Sequence, residues 1–94
     1  MSKSILQTEK ECYICGCCQW LECHHVFGGA NRKRSEQYGL KVWLCHNHHN
    51  EPPHGVHFNI NANQQLKATA QLKAMAHYGW SVDDFRGVFG KNYL

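Results

Sequence analysis

Cysteine and histidine are concentrated in one stretch of this 94-residue chain, and this concentration constrains its fold more than any other feature. All six cysteines and seven of the eight histidines lie between Cys12 and His57. Thiolate and neutral imidazole are the preferred protein ligands of zinc and related transition metals. A domain of this length has a modest core and commonly needs a metal or a disulfide as a staple. The sequence therefore predicts a small metal-binding domain with more ligands than one tetrahedral site can use.

Polarity and charge indicate the compartment and the partners of such a domain. The chain begins with polar residues and has no run near the roughly 18 consecutive apolar residues of a membrane span, so we expect no membrane partner. Cysteines in Cys-x2-Cys spacing without a signal peptide favour a reducing cytoplasm and metal chemistry over disulfides. The formal net charge is a mild +3, but Arg32, Lys33 and Arg34 form a basic run. That run suits a nucleic-acid backbone, and a solvated basic loop explains it equally well.

The chain divides into three parts. Residues 1–11 form a polar lead-in, part of which we expect to be disordered. Residues 12–58 hold the ligands, and here we predict short strands at 20–22 or 25–27 and at 40–44. A short helix should follow from His46 and end at Pro52-Pro53. Residues 59–94 have helical periodicity, so residues 12–94 are predicted to form a single domain with a helical scaffold.

Two helices are predicted in the C-terminal part. Asn61 or Asn63 can cap the first, which should end at Gly79. Ser81 and Asp84 have the spacing of a capping box at the start of the second, with Asp replacing the usual Glu. We assign the large apolar residues of this part to the core: Met75, Tyr78, Trp80, Phe85 and Phe89.

Two chelating pairs predict a structural zinc site. Cys12-x2-Cys15 is followed by a glycine that lets the backbone turn, and Cys45-x2-His48 is its complement. Together they make a closed tetrahedral site of the Cys3His type, which would contribute directly to folding. Cys15-x2-Cys18 is a competing frame, in which Cys18 replaces Cys12. We interpret Cys17 and Cys23 as free or small buried thiols.

The remaining histidines predict a second, catalytic metal site. Such a site needs about three protein ligands and an open position, and a nuclease also needs a base that is not a ligand. In the adjacent pair His24-His25, one ring would bind the metal and the other would polarise water. His49 and His57 would supply the other ligands. Three histidines are assigned no metal role: His46 at the surface, His54 in a solvated loop and His77 at a helix end.

The order of these blocks resembles a known family. Cys-x2-Cys, His-His and Leu-Cys-x2-His-His are similar to the HNH, or ββα-metal, nucleases. More narrowly, five strings resemble the phage and prophage recombination-enhancement, RecA-dependent nucleases: residues 24–35, 38–42, 44–49 and 55–58, and the ending at 85–94. The resemblance covers residues 11–94. It implies an α+β fold with a small zinc-stapled, treble-clef-like ββα-metal core and two C-terminal helices.

The resemblance also implies roles for individual residues. The first histidine of the pair, His24, would bind the catalytic metal with His49 and His57, and the second, His25, would be the general base. The implied activity is metal-dependent hydrolysis of DNA phosphodiester bonds in a bacterial cytoplasm, with a RecA filament as a possible partner. Zn²⁺ would fill the structural site, and Mg²⁺, Mn²⁺, Ni²⁺ or Zn²⁺ the catalytic one.

One position departs from the family pattern. The central Asn of HNH nucleases stands nine residues before the helix histidine, and this chain has Leu40 there. Asn31 and Asn50 are the candidates to brace the loop that carries the base. The departure leaves open the reverse assignment of His24 and His25.

A different class of function fits part of the pattern. A non-catalytic, zinc-stapled module that binds DNA or protein would use the same Cys3His knuckles. That hypothesis leaves four histidines without a role, namely His24, His25, His49 and His57. One metal per chain would favour the binding module, and two would favour the nuclease.

Overall fold

Two antiparallel strands lie at the centre of the fold. In the computed structural model, which describes residues 3–52, 55–57 and 59–94, β1 (Leu21–His25) pairs with β2 (Lys41–Cys45). The register sets His24 opposite Val42 and His25 opposite Lys41. β2 is shifted by one residue from the strand predicted at 40–44. β1 overlaps both alternatives predicted for the first strand, 20–22 and 25–27, and matches neither. Successive side chains of a strand point to opposite faces, so His24 and His25 belong to different faces of this pair.

The segment between the strands contains a helix that the sequence analysis missed. A 3-10 turn at Gly29–Asn31 leads into α1 (Arg32–Tyr38), so the basic run is helical rather than a loop. Gly39 ends the helix in the left-handed conformation, at φ 72°. The buried Ser35 hydroxyl donates to the Phe27 carbonyl and accepts from the Phe27 amide. These tertiary hydrogen bonds fasten a short helix of weak intrinsic stability.

Three helices follow β2. α2 (His46–His49) begins directly after the strand and contacts both strands. α3 (Ile60–Tyr78) ends at Gly79 as predicted, but its cap is Asn59, whose side chain accepts from the Ala62 amide. The prediction of Asn61 or Asn63 as the cap was therefore wrong, because the helix begins two residues earlier than Asn61 and four earlier than Asn63 would place it. α4 (Val82–Phe89) has the predicted capping box in full.

The hydrophobic core joins the strands to the C-terminal helices. Phe27 packs against the rings of Phe85 and Phe89, with centroids 5.5 and 4.8 Å away. Met75 and Trp80 are half-buried against this core, as expected. Tyr78 was assigned to the core and is 37% exposed instead, because its hydroxyl reaches the surface to donate to the Tyr38 carbonyl. Within the described residues, no helix is both long enough and apolar enough to cross a membrane.

Residues 3–11 of the lead-in lie against β2, and Met1 and Ser2 lie outside the described residues, so the expected partial disorder stays a prediction. Leu6 is buried in the core, and the Ile5 amide donates to the Gly39 carbonyl. Ser4 Oγ donates to the Lys41 carbonyl, while Gln7 Oε1 accepts from the Trp43 amide. These contacts run along the edge of β2 that β1 leaves unpaired. The lead-in therefore covers a strand edge that would otherwise expose unsatisfied backbone groups.

Candidate metal centres

The fold brings the four predicted structural ligands together. Cys12 and Cys15 lie on the turn before β1, Cys45 ends β2, and His48 lies in α2. One ligand atom from each falls within 4.8 Å of the others, a group that could hold a zinc ion. The closest pair is Cys45 Sγ and His48 Nδ1 at 3.2 Å. Three sulfurs and one imidazole nitrogen are the donor set of a closed structural zinc site.

The thiols of this group favour a cation by their electrostatics. Burial raises the pKa of Cys12, but backbone hydrogen bonds from Cys45, Cys15 and Ile14 lower it by more, so its net shift is downward. A backbone hydrogen bond from Cys17 lowers the pKa of Cys15, yet burial and the neighbouring Cys12 and Cys45 thiols raise it to about 11. Adjacent thiols thus resist a second negative charge, and a bound cation would relieve that repulsion.

The other three cysteines lie outside this group. Cys18 is exposed, and its Sγ lies 3.8 Å from the Gly16 carbonyl. The group of four ligands contains Cys12 and not Cys18, so the alternative with Cys18 in place of Cys12 is not the one observed. Cys17 and Cys23 are exposed free thiols. Cys23 follows the alternation of β1, which directs it away from the face that carries His24.

A second group consists of three histidines from three different segments. His24 comes from β1, His49 from α2, and His57 from the chain that follows α2. Their ligand nitrogens also fall within 4.8 Å of one another, so this group could hold a metal ion. His49 Nε2 lies 3.2 Å from His24 Nδ1 and 3.0 Å from His57 Nε2. Three imidazole nitrogens this close together form a donor set of the kind that leaves a fourth position of a tetrahedral metal open.

Glu22 fixes the ring of His49 within this group. Glu22 Oε1 is 2.8 Å from His49 Nδ1, and the amide of Asn50 donates to the same oxygen at 2.8 Å. A carboxylate oxygen only accepts, so His49 Nδ1 carries the proton and its Nε2 presents a lone pair. Hydrogen bonds from His49 and His46 lower the pKa of Glu22, which keeps it ionised. A carboxylate–histidine pair of this kind orients metal ligands in many sites.

His24 is buried in the group and neutral. Burial, followed by the nearby His49 and His57, lowers the pKa of His24 to about 3. Burial and His49 also lower the pKa of His57. His24 Nε2 is buried and has no hydrogen-bond partner among the described residues. The nitrogen that faces the group is Nδ1, 3.2 Å from His49 Nε2, and a buried neutral imidazole can offer its lone pair to a cation there, so the donor chemistry fits a metal.

His25 lies apart from the three histidines, on the other face of β1. Its Nε2 is 3.1 Å from Glu36 Oε1, and the other oxygen of Glu36 accepts from Lys41 Nζ. His25 and Glu36 line a depression with Arg32 and Lys33 at its border. Hydrogen bonds from Lys41 and then His25 lower the pKa of Glu36 to about 2. His25 is therefore held by a carboxylate, beside cationic side chains.

The proposed bracing amides have other partners. Asn31 Nδ2 donates to the Phe89 carbonyl at 2.9 Å, which ties the loop after β1 to the end of α4. Asn50 Nδ2 donates to Glu22 Oε1 and lies 3.1 Å from His49 Nδ1. Within residues 3–52, 55–57 and 59–94, neither amide bonds His25. The predicted bracing therefore does not act through a direct contact with His25, and Asn31 instead joins the loop that follows His25 to the end of α4.

The basic residues and remaining histidines occupy the surface. Arg32, Lys33 and Arg34 are exposed along α1, and Arg34 donates to Asn31. His46 is exposed, as predicted, and lies between Glu22 and Glu51, whose hydrogen bonds raise its pKa. The helix-end position of His77 is confirmed. His54 lies outside the described residues.

Sequence reasoning missed both carboxylates. Glu22 and Glu36 belong to no motif, because a glutamate two residues before His24, or two residues after the basic run, gives no signal in the sequence. The alternation of β1 offered a signal for Glu22, since residues two apart on a strand share a face and Glu22 lies two residues before His24.

Comparisons with protein-family models, curated proteins and solved structures found no match to this chain.

Proposed function

We propose that this protein is a metal-dependent DNA endonuclease of the ββα-metal, or HNH, type. The observation that carries the proposal is the second ligand group, His24, His49 and His57, which lies apart from the Cys3His group. A zinc-stapled binding module needs one closed site and gives no reason for a second. The order of β1, β2 and α2, with a metal-binding histidine on the first strand and another on the helix, is the arrangement expected of such a nuclease.

The proposed chemistry takes place at the C-terminal end of β1, where His25 is the last strand residue and His24 precedes it, so that one phosphate lies between the two side chains. A divalent cation bound by His24, His49 and His57 would supply Lewis-acid stabilisation of the charge that develops on a scissile phosphate. Glu22 keeps His49 in the tautomer that can bind the cation. His25, which is not part of that group, takes the proton of the attacking water. Imidazole suits this step because it exchanges a proton near neutral pH.

Basic side chains beside His25 support a nucleic-acid substrate. Arg32 and Lys33 border the depression that contains His25, and Arg34 extends the charge along α1. Contacts from such residues hold a phosphate backbone with little base readout. We therefore propose DNA as the substrate and, from the resemblance to recombination-enhancement nucleases of phages, a RecA filament as a partner in a bacterial cytoplasm.

Cleavage of supercoiled plasmid tests the proposal. Purified protein is treated with EDTA and supplied with Mg²⁺, Mn²⁺, Ni²⁺ or Zn²⁺, with and without single-stranded DNA and RecA. We expect metal-dependent nicking that falls by about 10²–10⁴-fold in His25→Ala, the usual contribution of a general base. His77→Ala, which removes an exposed histidine from a helix end, is the matched control and should cleave normally.

Metal content separates the two candidate functions. Two bound metals per folded chain are expected, and His49→Ala should remove one of them without loss of the Cys3His metal. Absence of cleavage by the wild-type protein under every metal and partner condition would overturn the nuclease proposal. Zinc bound at one equivalent with DNA or protein binding would then favour the stapled module.

A further inference from the structure

We infer that Glu36 is a positioning residue for His25, an inference that rests on the proposed function. Its carboxylate holds the imidazole in one tautomer and one orientation, and it does so from α1, outside the strands that carry the ligands. This role falls to Glu36 in a chain where the central Asn position of the HNH pattern holds Leu40.

The hydrogen-bond geometry determines which nitrogen of His25 can act. His25 Nε2 lies 3.1 Å from Glu36 Oε1. The carboxylate cannot donate when ionised, so the proton of a neutral His25 is at Nε2 and the lone pair is at Nδ1. The nitrogen that accepts a proton from water is therefore Nδ1. In the opposite tautomer this nitrogen would carry a proton already and could not act as a base.

The carboxylate is itself held from a second side. Lys41 Nζ donates to Glu36 Oε2, and Lys41 is the cross-strand partner of His25 in the β1–β2 register. Lys41 Nζ and His25 Nε2 thus each bond one oxygen of the Glu36 carboxylate, from directly paired positions of the two strands. Lys41 is buried, with 9% of its surface exposed, so this contact is not an ordinary mobile surface ion pair. Because both of its oxygens are bonded, the Glu36 carboxylate has little freedom to rotate away from His25.

The placement of the pair matches a positioning role. His25 is the last residue of β1, and its side chain is 13% exposed, so the ring is packed yet reachable. Glu36 is in the last half of α1, whose first residues, Arg32 and Lys33, border the same depression. One helix therefore carries both the group that orients the base and the cations that would hold the phosphate.

Nuclear magnetic resonance of the His25 ring tests the inference without any cleavage assay. Long-range ¹⁵N–¹H spectra of the metal-loaded protein, recorded above neutral pH, report which nitrogen carries the proton. We expect the Nε2–H tautomer in the wild type and a mixture of tautomers in Glu36→Ala. Glu51→Ala is the matched control, because it removes a carboxylate that bonds His46 and leaves His25 alone.

The cleavage assay adds a second readout. Glu36→Ala should lower kcat roughly 10-fold or more, but by less than the about 10²–10⁴-fold cost of removing the base, with KM unchanged. Glu36→Gln retains an acceptor oxygen and should recover most of the loss. An Nδ1–H tautomer in the wild type, or a His25 spectrum unchanged in Glu36→Ala, would overturn the inference whatever the plasmid assay gives. If His25 holds the Nε2–H tautomer in a protein that never cleaves DNA, the nuclease proposal is overturned instead, and Glu36 then has no catalytic role.

Discussion

Glu22 Oε1 lies 2.8 Å from Nδ1 of His49, and this contact places a carboxylate directly behind the second candidate metal group. The two residues are 27 positions apart in the chain, and the pairing of β1 with β2 brings them together because α2 begins where β2 ends. We therefore expect the metal affinity of the histidine group to depend on Glu22, a residue outside that group.

Removing this carboxylate should weaken the histidine site alone. Glu22→Ala leaves His49 free to adopt either tautomer and to rotate, so we expect its affinity for Ni²⁺ or Co²⁺ to fall about 10–100-fold. Calorimetric titration of the protein already loaded with one zinc measures the change. Glu51→Ala, which removes a carboxylate bonded to His46 but not to His49, should bind as the wild type does. Equal affinity in Glu22→Ala would show that the contact does not orient His49.

Metal binding at the histidine group should release few protons in mildly acidic solution. The pKa of His24 is lowered to about 3, so His24 is already neutral at pH 6. The pKa of His57 is also lowered, so a larger fraction of His57 is neutral at that pH than of an ordinary histidine. Three unperturbed imidazoles with a pKa of about 6.5 would release about two protons per metal at that pH. We expect a smaller number, measured by calorimetry in buffers of different ionisation enthalpy. Release of two or more protons would contradict the lowered pKa values.

The two cysteine frames predict different outcomes for single substitutions. Cys12→Ser should lose the thiolate-to-metal charge-transfer absorption of the Co²⁺ form and much of the folded structure, because the Cys3His group ties the first turn to β2 and α2. Cys18→Ser should retain both, since Cys18 lies outside that group. Visible absorption and far-ultraviolet circular dichroism of the two variants decide between the frames. The reverse pattern would show that Cys18 is the ligand.

Two glycines with the same backbone conformation should differ in their tolerance of alanine. Gly39 and Gly79 both end helices at positive φ, 72° and 68°. A Cβ at Gly39 would overlap the Lys3 carbonyl oxygen, whereas nothing lies within 4 Å of a Cβ at Gly79. We expect Gly79→Ala to cost about 1–2 kcal/mol of unfolding free energy from backbone strain and Gly39→Ala distinctly more. Urea unfolding of both variants measures the difference, and equal costs would mean that the lead-in moves aside freely.

Charge removal on α1 should reveal itself in the salt dependence of DNA binding. Replacing Arg32, Lys33 and Arg34 by alanine is expected to reduce the slope of log K against log salt concentration by up to about three, since each phosphate contact contributes roughly one. Fluorescence anisotropy with a labelled duplex at several salt concentrations gives the slope. An unchanged slope would place the DNA contact elsewhere on the protein.

Local sequence determined much of this protein. The Cys-x2-Cys and Cys-x2-His spacings set two chelating pairs, the alternation of residues 40–44 marked β2, and Ser81 with Asp84 marked the start of α4, because each of these patterns is satisfied within a few residues. α1 escaped detection because its stability comes from Ser35 bonding Phe27 rather than from its own basic sequence. Only the tertiary structure could decide that His24 meets His49 and His57 while His25 meets Glu36. That division follows from the alternation of side chains along β1, which sends His24 and His25 to opposite faces. Glu22 then meets His49 from β1, whereas Glu36 meets His25 from α1.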